Sequence, residues 1–172
     1  MVRAWWLTGC LVAMLCANVA SVTAGVGQWK TYTAKREVRD LARDAGGAVW
    51  VATSGGMFSY RLSDSTFREF TTSEGLRTID LSAIAVDDRG AVWIGATNGF
   101  LHRYNPLTGE WLYITDLFYK DDPQKGINAL RVVGDTLFIL SDIGVSVFSI
   151  SRLEFGDTYK RFGAGTGISG NV

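Results

Sequence analysis

Gly47-Ala48-Val49-Trp50-Val51-Ala52-Thr53-Ser54-Gly55-Gly56-Met57-Phe58 returns as Gly90-Ala91-Val92-Trp93-Ile94-Gly95-Ala96-Thr97-Asn98-Gly99-Phe100-Leu101. Trp50 and Trp93 stand 43 residues apart, and so do Gly56 and Gly99. A third, more divergent copy runs Asp135-Thr136-Leu137-Phe138-Ile139-Leu140-Ser141-Asp142-Ile143-Gly144-Val145-Ser146. There Phe138 takes the tryptophan's place and Gly144 keeps the glycine. A fixed period of this size marks a repeat architecture, in which each unit buries its apolar face against the next.

The flanks repeat too. Val38-Arg39-Asp40-Leu41 matches Leu81-Ser82-Ala83-Ile84 and Ile127-Asn128-Ala129-Leu130. Phe67-Arg68-Glu69-Phe70 matches Trp111-Leu112-Tyr113-Ile114 and, in the third copy, Tyr159-Lys160-Arg161-Phe162. Leu76 follows Phe70 by six residues as Ile168 follows Phe162, so a fourth copy begins near the end. The first copy divides into four short apolar segments, Val38–Arg43, Ala48–Thr53, Met57–Leu62 and Thr66–Phe70. Between them lie turn residues. Asp44-Ala45-Gly46-Gly47 and Asp87-Asp88-Arg89-Gly90 predict tight turns closed by a positive-φ glycine, and Asn98-Gly99 is a two-residue hairpin signal. No segment sustains helical periodicity for ten residues.

Four antiparallel strands per unit of this length predict an all-β fold, an incomplete β-propeller. It comprises about three four-stranded blades (repeats at about 29–70, 71–114 and 115–162) and a stub at 163–172. The large apolar group at Trp50, Trp93 and Phe138 is expected to pack between neighbouring blades. Propellers close with four to eight blades, so residues 25–172 are expected to be the opening part of a larger ring, with an uncovered apolar face on the third blade.

Residues 1–24 read as an address. Arg3 precedes an apolar run from Ala4 to Ala17, and Val22-Thr23-Ala24 then offers small residues to signal peptidase. A retained membrane anchor is the competing reading of the same stretch. Leu7-Thr8-Gly9-Cys10 has the look of a lipoprotein box, but the apolar run continues past it. Cys10 and Cys16 are the only cysteines, so cleavage leaves a chain held by packing without disulfides. It also leaves 16 basic against 17 acidic residues. That balance provides no footprint for nucleic acid, and it confines membrane contact to the leader or to partners.

At Val38–Tyr60 and Leu81–Tyr104 the text resembles the two-component-regulator propeller repeat: aliphatic, Leu/Ile, Asp, Gly, apolar-Trp, Gly/Ala, Thr/Ser, Gly and a closing aromatic. That repeat occurs in periplasmic halves of hybrid sensor kinases and in secreted bacterial proteins. The first copy departs from it with Ala52 where Gly95 stands in the second, and the third lacks both the Trp and the Asp-Gly turn. The wider arrangement (Gly27-Gln28-Trp29-Lys30-Thr31-Tyr32, Ser73-Glu74-Gly75-Leu76, Asp157-Thr158-Tyr159) is similar to the N-terminal propeller of the PorZ family of type IX secretion proteins. The resemblance implies an exported protein of the periplasm or outer-membrane surface of a Gram-negative bacterium. It also implies a part in attaching anionic lipopolysaccharide to cargo. The alternative is the glycan-sensing domain of a hybrid two-component kinase. Neither carries functional residues onto this stretch.

The residues themselves offer little catalysis. His102 is the sole histidine; a catalytic or metal-binding role needs partners, so a strand residue with its ring at a blade surface is expected. Asp87-Asp88, with Asp44 as earlier counterpart, fails the alternating oxygen spacing of a calcium loop and is expected to accept backbone N–H bonds. Glu69, Glu74 and Glu110 read as solvated edges rather than a glycosidase pair. Gly163-Ala164-Gly165-Thr166-Gly167 lacks the strand and helix of a dinucleotide fingerprint and reads as a linker. One stretch is irregular: Phe118, Tyr119, Lys120, Asp121, Asp122 and Lys125 lie in an enlarged inter-blade junction, where propeller insertions commonly form a binding face. Tyr113, Phe118 and Tyr119 equally suit a core. The expectation is a non-enzymatic, exported interaction module, with no cofactor or metal and a protein or glycan partner outside the cytoplasm.

Overall fold

A computed structural model of the chain describes residues 37–160. The expected signal peptide, the Trp29 segment, Arg161-Phe162 and the 163–172 stub lie outside the described residues.

Twelve strands form three four-stranded antiparallel sheets, each ordered as its strands follow in sequence. Sheet 1 contains β1 (Val38–Arg43), β2 (Ala48–Thr53), β3 (Gly56–Arg61) and β4 (Thr66–Phe70). Sheet 2 contains β5 (Leu81–Val86), β6 (Val92–Ala96), β7 (Leu101–Tyr104) and β8 (Trp111–Ile114). Sheet 3 contains β9 (Ile127–Val133), β10 (Thr136–Ser141), β11 (Gly144–Ser149) and β12 (Glu154–Tyr159). Three of the four segments read in the first copy match their strands to the residue, and β3 begins one residue earlier than expected. The turns are as read: Gly47 and Gly90 adopt φ of 82° and 80°, where a Cβ is strained. The only helical element among the described residues is a single 3₁₀ turn, Thr72–Glu74, with Thr71 and Glu74 forming a capping box.

The sheets stack face to face, with their first strands side by side at one end. Ile84 N–H donates to Asp40 Oδ2 at 2.9 Å, linking β5 to β1. The Ser82 hydroxyl donates to the Ile127 carbonyl, linking β5 to β9. Sheet 2, flanked on both sides, has its second strand buried throughout. Period-2 alternation divides that strand between two cores. Val92, Ile94 and Ala96 face sheet 1, joining Trp50, Met57 and Phe70. Trp93 faces sheet 3, joining Leu137, Ile139 and Phe148.

The tryptophans are inter-sheet wedges, as expected. Trp50 lies 5.9 Å ring to ring from Tyr104 of sheet 2. Trp93 lies 5.6 Å from Phe148 of sheet 3, edge to face. Gly95 is small for a steric reason: a Cβ there would stand 2.5 Å from Ile127 Cγ2. The first-copy counterpart of this pair is Ala52 with Leu81, both in the core between sheets 1 and 2. Leu81 branches one carbon farther out than Ile127, so the variation between the copies is complementary packing.

In the third copy the fourth strand differs from the expected match to Tyr159–Phe162. β12 ends at Tyr159, and Phe155 pairs with Phe148 as Trp111 pairs with Tyr104. An irregularity between Ser146 and Phe148 shifts the register, and such a bulge breaks the alternation on which a sequence match relies.

Candidate binding surface

The junction from β8 to β9 spans residues 115–126, two residues longer than the junction at 71–80. It folds back on the β6–β7 hairpin as a compact loop. Tyr119 N–H donates to the Thr115 carbonyl at 3.0 Å and Lys120 N–H to the Leu117 carbonyl at 3.2 Å. Leu117 is buried beneath them. The Lys125 ammonium then ties the loop together, donating to the carbonyls of Phe118 (2.6 Å) and Lys120 (3.1 Å). It also lies 5.5 Å from the Phe118 ring centroid. Asp122 accepts from Gln124 N–H at 3.0 Å, while Asp121 points into solvent.

The loop brings its aromatics to a track that begins on the strands. Tyr119 and Phe118 are 5.1 Å apart, and Phe118 and Phe100 are 5.4 Å apart. Phe100 then meets His102 at 4.8 Å and Tyr113 at 6.3 Å. The Arg77 guanidinium, on the preceding junction, stands 4.6 Å above Tyr113, whose hydroxyl donates to the Gly75 carbonyl at 2.8 Å. Tyr119 is 77% exposed, Arg77 is exposed, and Phe100, Tyr113 and Phe118 are half-buried. Flat apolar rings beside a cation form a surface suited to a sugar ring bearing an anionic group, or to a protein side chain.

Of the six residues singled out in this loop, the structure joins Phe118, Tyr119 and Lys125 in one cluster, with Lys120 contributing its carbonyl. Asp121 and Asp122 do not converge on them. Phe100, Tyr113 and Arg77 complete the surface. Phe100 immediately precedes β7, two residues before His102, and His102 pairs with Tyr113 across β7 and β8; only the pairing reveals this.

His102 is a strand residue as expected, but its ring is fully buried rather than at a blade surface. Its Nε2 accepts from Arg77 N–H at 3.1 Å, so Nδ1 carries the proton. Nδ1 faces the Ile94 carbonyl short of hydrogen-bond geometry. Burial pushes its pKa down to about 4, keeping the imidazole neutral. Asp87 is filled by donors: Trp93 Nε1–H, Ala91 N–H and Arg89 N–H, at 2.9, 2.9 and 3.0 Å. Glu74 caps Thr71, Glu110 accepts from the Thr108 hydroxyl, and Glu69 lies on β4. No group of three His, Cys, Asp or Glu among the described residues could hold a metal ion. None of their helices is long and apolar enough to cross a membrane.

No family model and no curated protein matches the sequence. Solved structures do match the fold. PorZ of Porphyromonas gingivalis, described as an essential bacterial surface component of the type-IX secretion system, superposes with a TM-score of 0.69 at 20% identity over 77% of this chain. This chain is similar to a β-propeller segment. The extracellular domain assigned to a hybrid two component system of B. thetaiotaomicron superposes at TM-score 0.60 and 20% identity over 69% of the chain. The computationally designed Ika4 protein does so at 0.56 and 17% over 76%. The chain spans 18% of the PorZ chain, 16% of the sensor domain and 74% of Ika4. These likenesses carry the β-propeller architecture that the repeat predicts.

Proposed function

We propose that the chain is a non-enzymatic, exported β-propeller module. It presents the Phe100–Tyr113–Phe118–Tyr119 track, with Arg77, to an anionic glycan, as part of a PorZ-like type IX secretion component that attaches anionic lipopolysaccharide to cargo. The observation that carries this reading is the aromatic track with a cation over one ring. Aromatic faces take the apolar side of a sugar, and the guanidinium selects negative charge. The stronger superposition on PorZ supports the secretion setting. The superposition on the sensor's extracellular domain supports a second reading, a glycan-sensing module.

Calorimetric titration of the exported protein with anionic lipopolysaccharide, and separately with a charge-neutral oligosaccharide, tests this. Binding of the anionic ligand, weakened about fivefold by Tyr119→Ala and by Arg77→Met, is expected, each change removing roughly 1 kcal/mol of ring or cation contact. Equal affinity for the neutral sugar favours the sensing module, and no binding of either ligand ends the glycan reading.

A further inference from the structure

Two residues in the cleft between sheets 2 and 3 are not what the repeat requires. The first is Arg103 on β7, which pairs with Trp93 on one side and Leu112 on the other. Its counterparts beside Trp50 and Phe138 are Ser59 and Val147, so the wedge needs no cation at its side. The Arg103 guanidinium carbon stands 5.5 Å from the Trp93 ring centroid. Its Nε is buried with no hydrogen-bond partner, a cost that packing alone leaves uncompensated. Nη1 and Nη2 remain to face the cleft that Arg103 lines.

The second is Leu153, in the turn between β11 and β12. Its φ of 56° is left-handed, a conformation that strains a leucine. The same turn position holds Ser65 (φ 54°) in sheet 1 and Gly109 (φ 75°) in sheet 2. Each lies two residues before the aromatic that pairs with Tyr60, Tyr104 or Phe148. The turn itself calls for glycine or a small polar residue. Leu153 instead forms a wall of the cleft that holds Arg103, and strain held in place by its surroundings gathers at binding sites.

The cleft encloses about 420 Å³, the size of a small-molecule site, and Leu112 is its other aliphatic wall. Asn105 Oδ1 accepts from Leu107 N–H at 3.0 Å, which leaves the Asn105 Nδ2 amide as a donor. Glu110 Oε2 accepts from the Thr108 hydroxyl at 2.9 Å, which leaves Oε1 as an acceptor. Arg103 and Glu110 share the cleft without pairing to each other. A simple anion would be drawn by the guanidinium and repelled by the carboxylate, whereas a zwitterion matches both. We propose that this cleft binds a free α-amino acid with an apolar side chain. The ligand's carboxylate meets the Arg103 fork and the Asn105 amide, its ammonium meets Glu110, and its side chain lies against Leu112 and Leu153. The site is separate from the aromatic track, because Arg103 and His102 are neighbours on β7 and face opposite sides of sheet 2.

The test is calorimetric titration of the full chain with L-leucine, with isocaproate, which lacks the ammonium, and with leucinamide, which lacks the carboxylate. Leucine should saturate a single site, and each of the other two should bind about tenfold more weakly. Arg103→Met keeps an apolar stem over Trp93 and should weaken leucine binding about tenfold. Tyr119→Ala and Arg77→Met should leave leucine binding unchanged, so this site and the glycan surface stand or fall separately. Leu153→Gly relieves the left-handed backbone; it should leave the chain no less stable to denaturant while weakening leucine binding about fivefold. No leucine binding at millimolar concentration, leucinamide or isocaproate binding as tightly as leucine, or full affinity in Arg103→Met overturns the proposal. A Leu153→Gly chain that unfolds more readily yet binds leucine as before also overturns it, since Leu153 would then support the core and not the ligand.

Discussion

The indole N–H of Trp93 donates to the carboxylate of Asp87, six residues earlier, at 2.9 Å. The same bond joins Trp50 to Asp44 at 2.9 Å. In each case the other carboxylate oxygen accepts a backbone N–H two residues before the tryptophan. A wedge between two sheets must satisfy its indole N–H away from water, and the turn aspartate of its own hairpin does so. In the third copy Phe138 has no N–H to satisfy, and the turn is shortened to Gly134-Asp135.

This coupling predicts unequal costs. Asp87→Ala should lower unfolding free energy by about 3 kcal/mol, because it strands a buried indole N–H and removes two further bonds to a charged acceptor. Asp44→Ala, at a half-exposed turn, should cost about half as much. Denaturant melts of both variants, with Trp93→Phe as background, check this. If Asp87→Ala is equally costly on that background, the indole bond contributes nothing.

Gly95→Ala should destabilise by about 1–3 kcal/mol, the usual penalty of overpacking, since the new methyl meets the Ile127 side chain. Gly95→Ala with Ile127→Leu reproduces the Ala52 and Leu81 pair of the neighbouring junction and should recover most of the loss. A double-mutant cycle measures the coupling; purely additive costs would contradict the packing argument.

His102 makes stability depend on pH. Its folded pKa of about 4 lies below the ordinary 6.5, so the unfolded chain binds the proton more tightly. Its contribution is complete above pH 6.5 and is lost as pH falls towards 4, by roughly 3 kcal/mol over that interval. His102→Gln, which can still accept from Arg77 N–H, should show a correspondingly shallower decline. Identical slopes in wild type and variant would remove His102 from the explanation.

Lys125→Met should loosen one loop without unfolding the sheets. Its ammonium bridges two loop carbonyls, so amide exchange at Tyr119 and Lys120 should accelerate while β10 and β11 stay protected. Loss of protection across sheet 3 would mean that the lysine supports the core instead.

How much of this was legible depended on the repeat and the turns that punctuate it. β1, β2 and β4 could be read to the residue because each is a short segment that recurs in the repeat and is bounded by turn residues. β12 could not: the irregularity between Ser146 and Phe148 offsets the pattern, so the repeat match falls on Tyr159 where the pairing places Phe155. The loop aromatics Phe118 and Tyr119 stood out as an interruption of the repeat. Phe100, Tyr113 and Arg77 did not, because their meeting depends on pairing across β7 and β8 and on a second junction folding beside the first. The indole–carboxylate bond was hidden for a similar reason: an aspartate in a turn is already explained by the backbone it caps.

Within each described sheet, a strand pairs backbone to backbone only with the strand made just before or just after it. The hydrogen-bonded framework of one sheet can thus be finished before the residues of the next exist, a topology open to assembly in order of appearance. Little loop entropy is spent on each step. Only the wedges wait for later text, and while they wait the growing edge is the part most exposed to association.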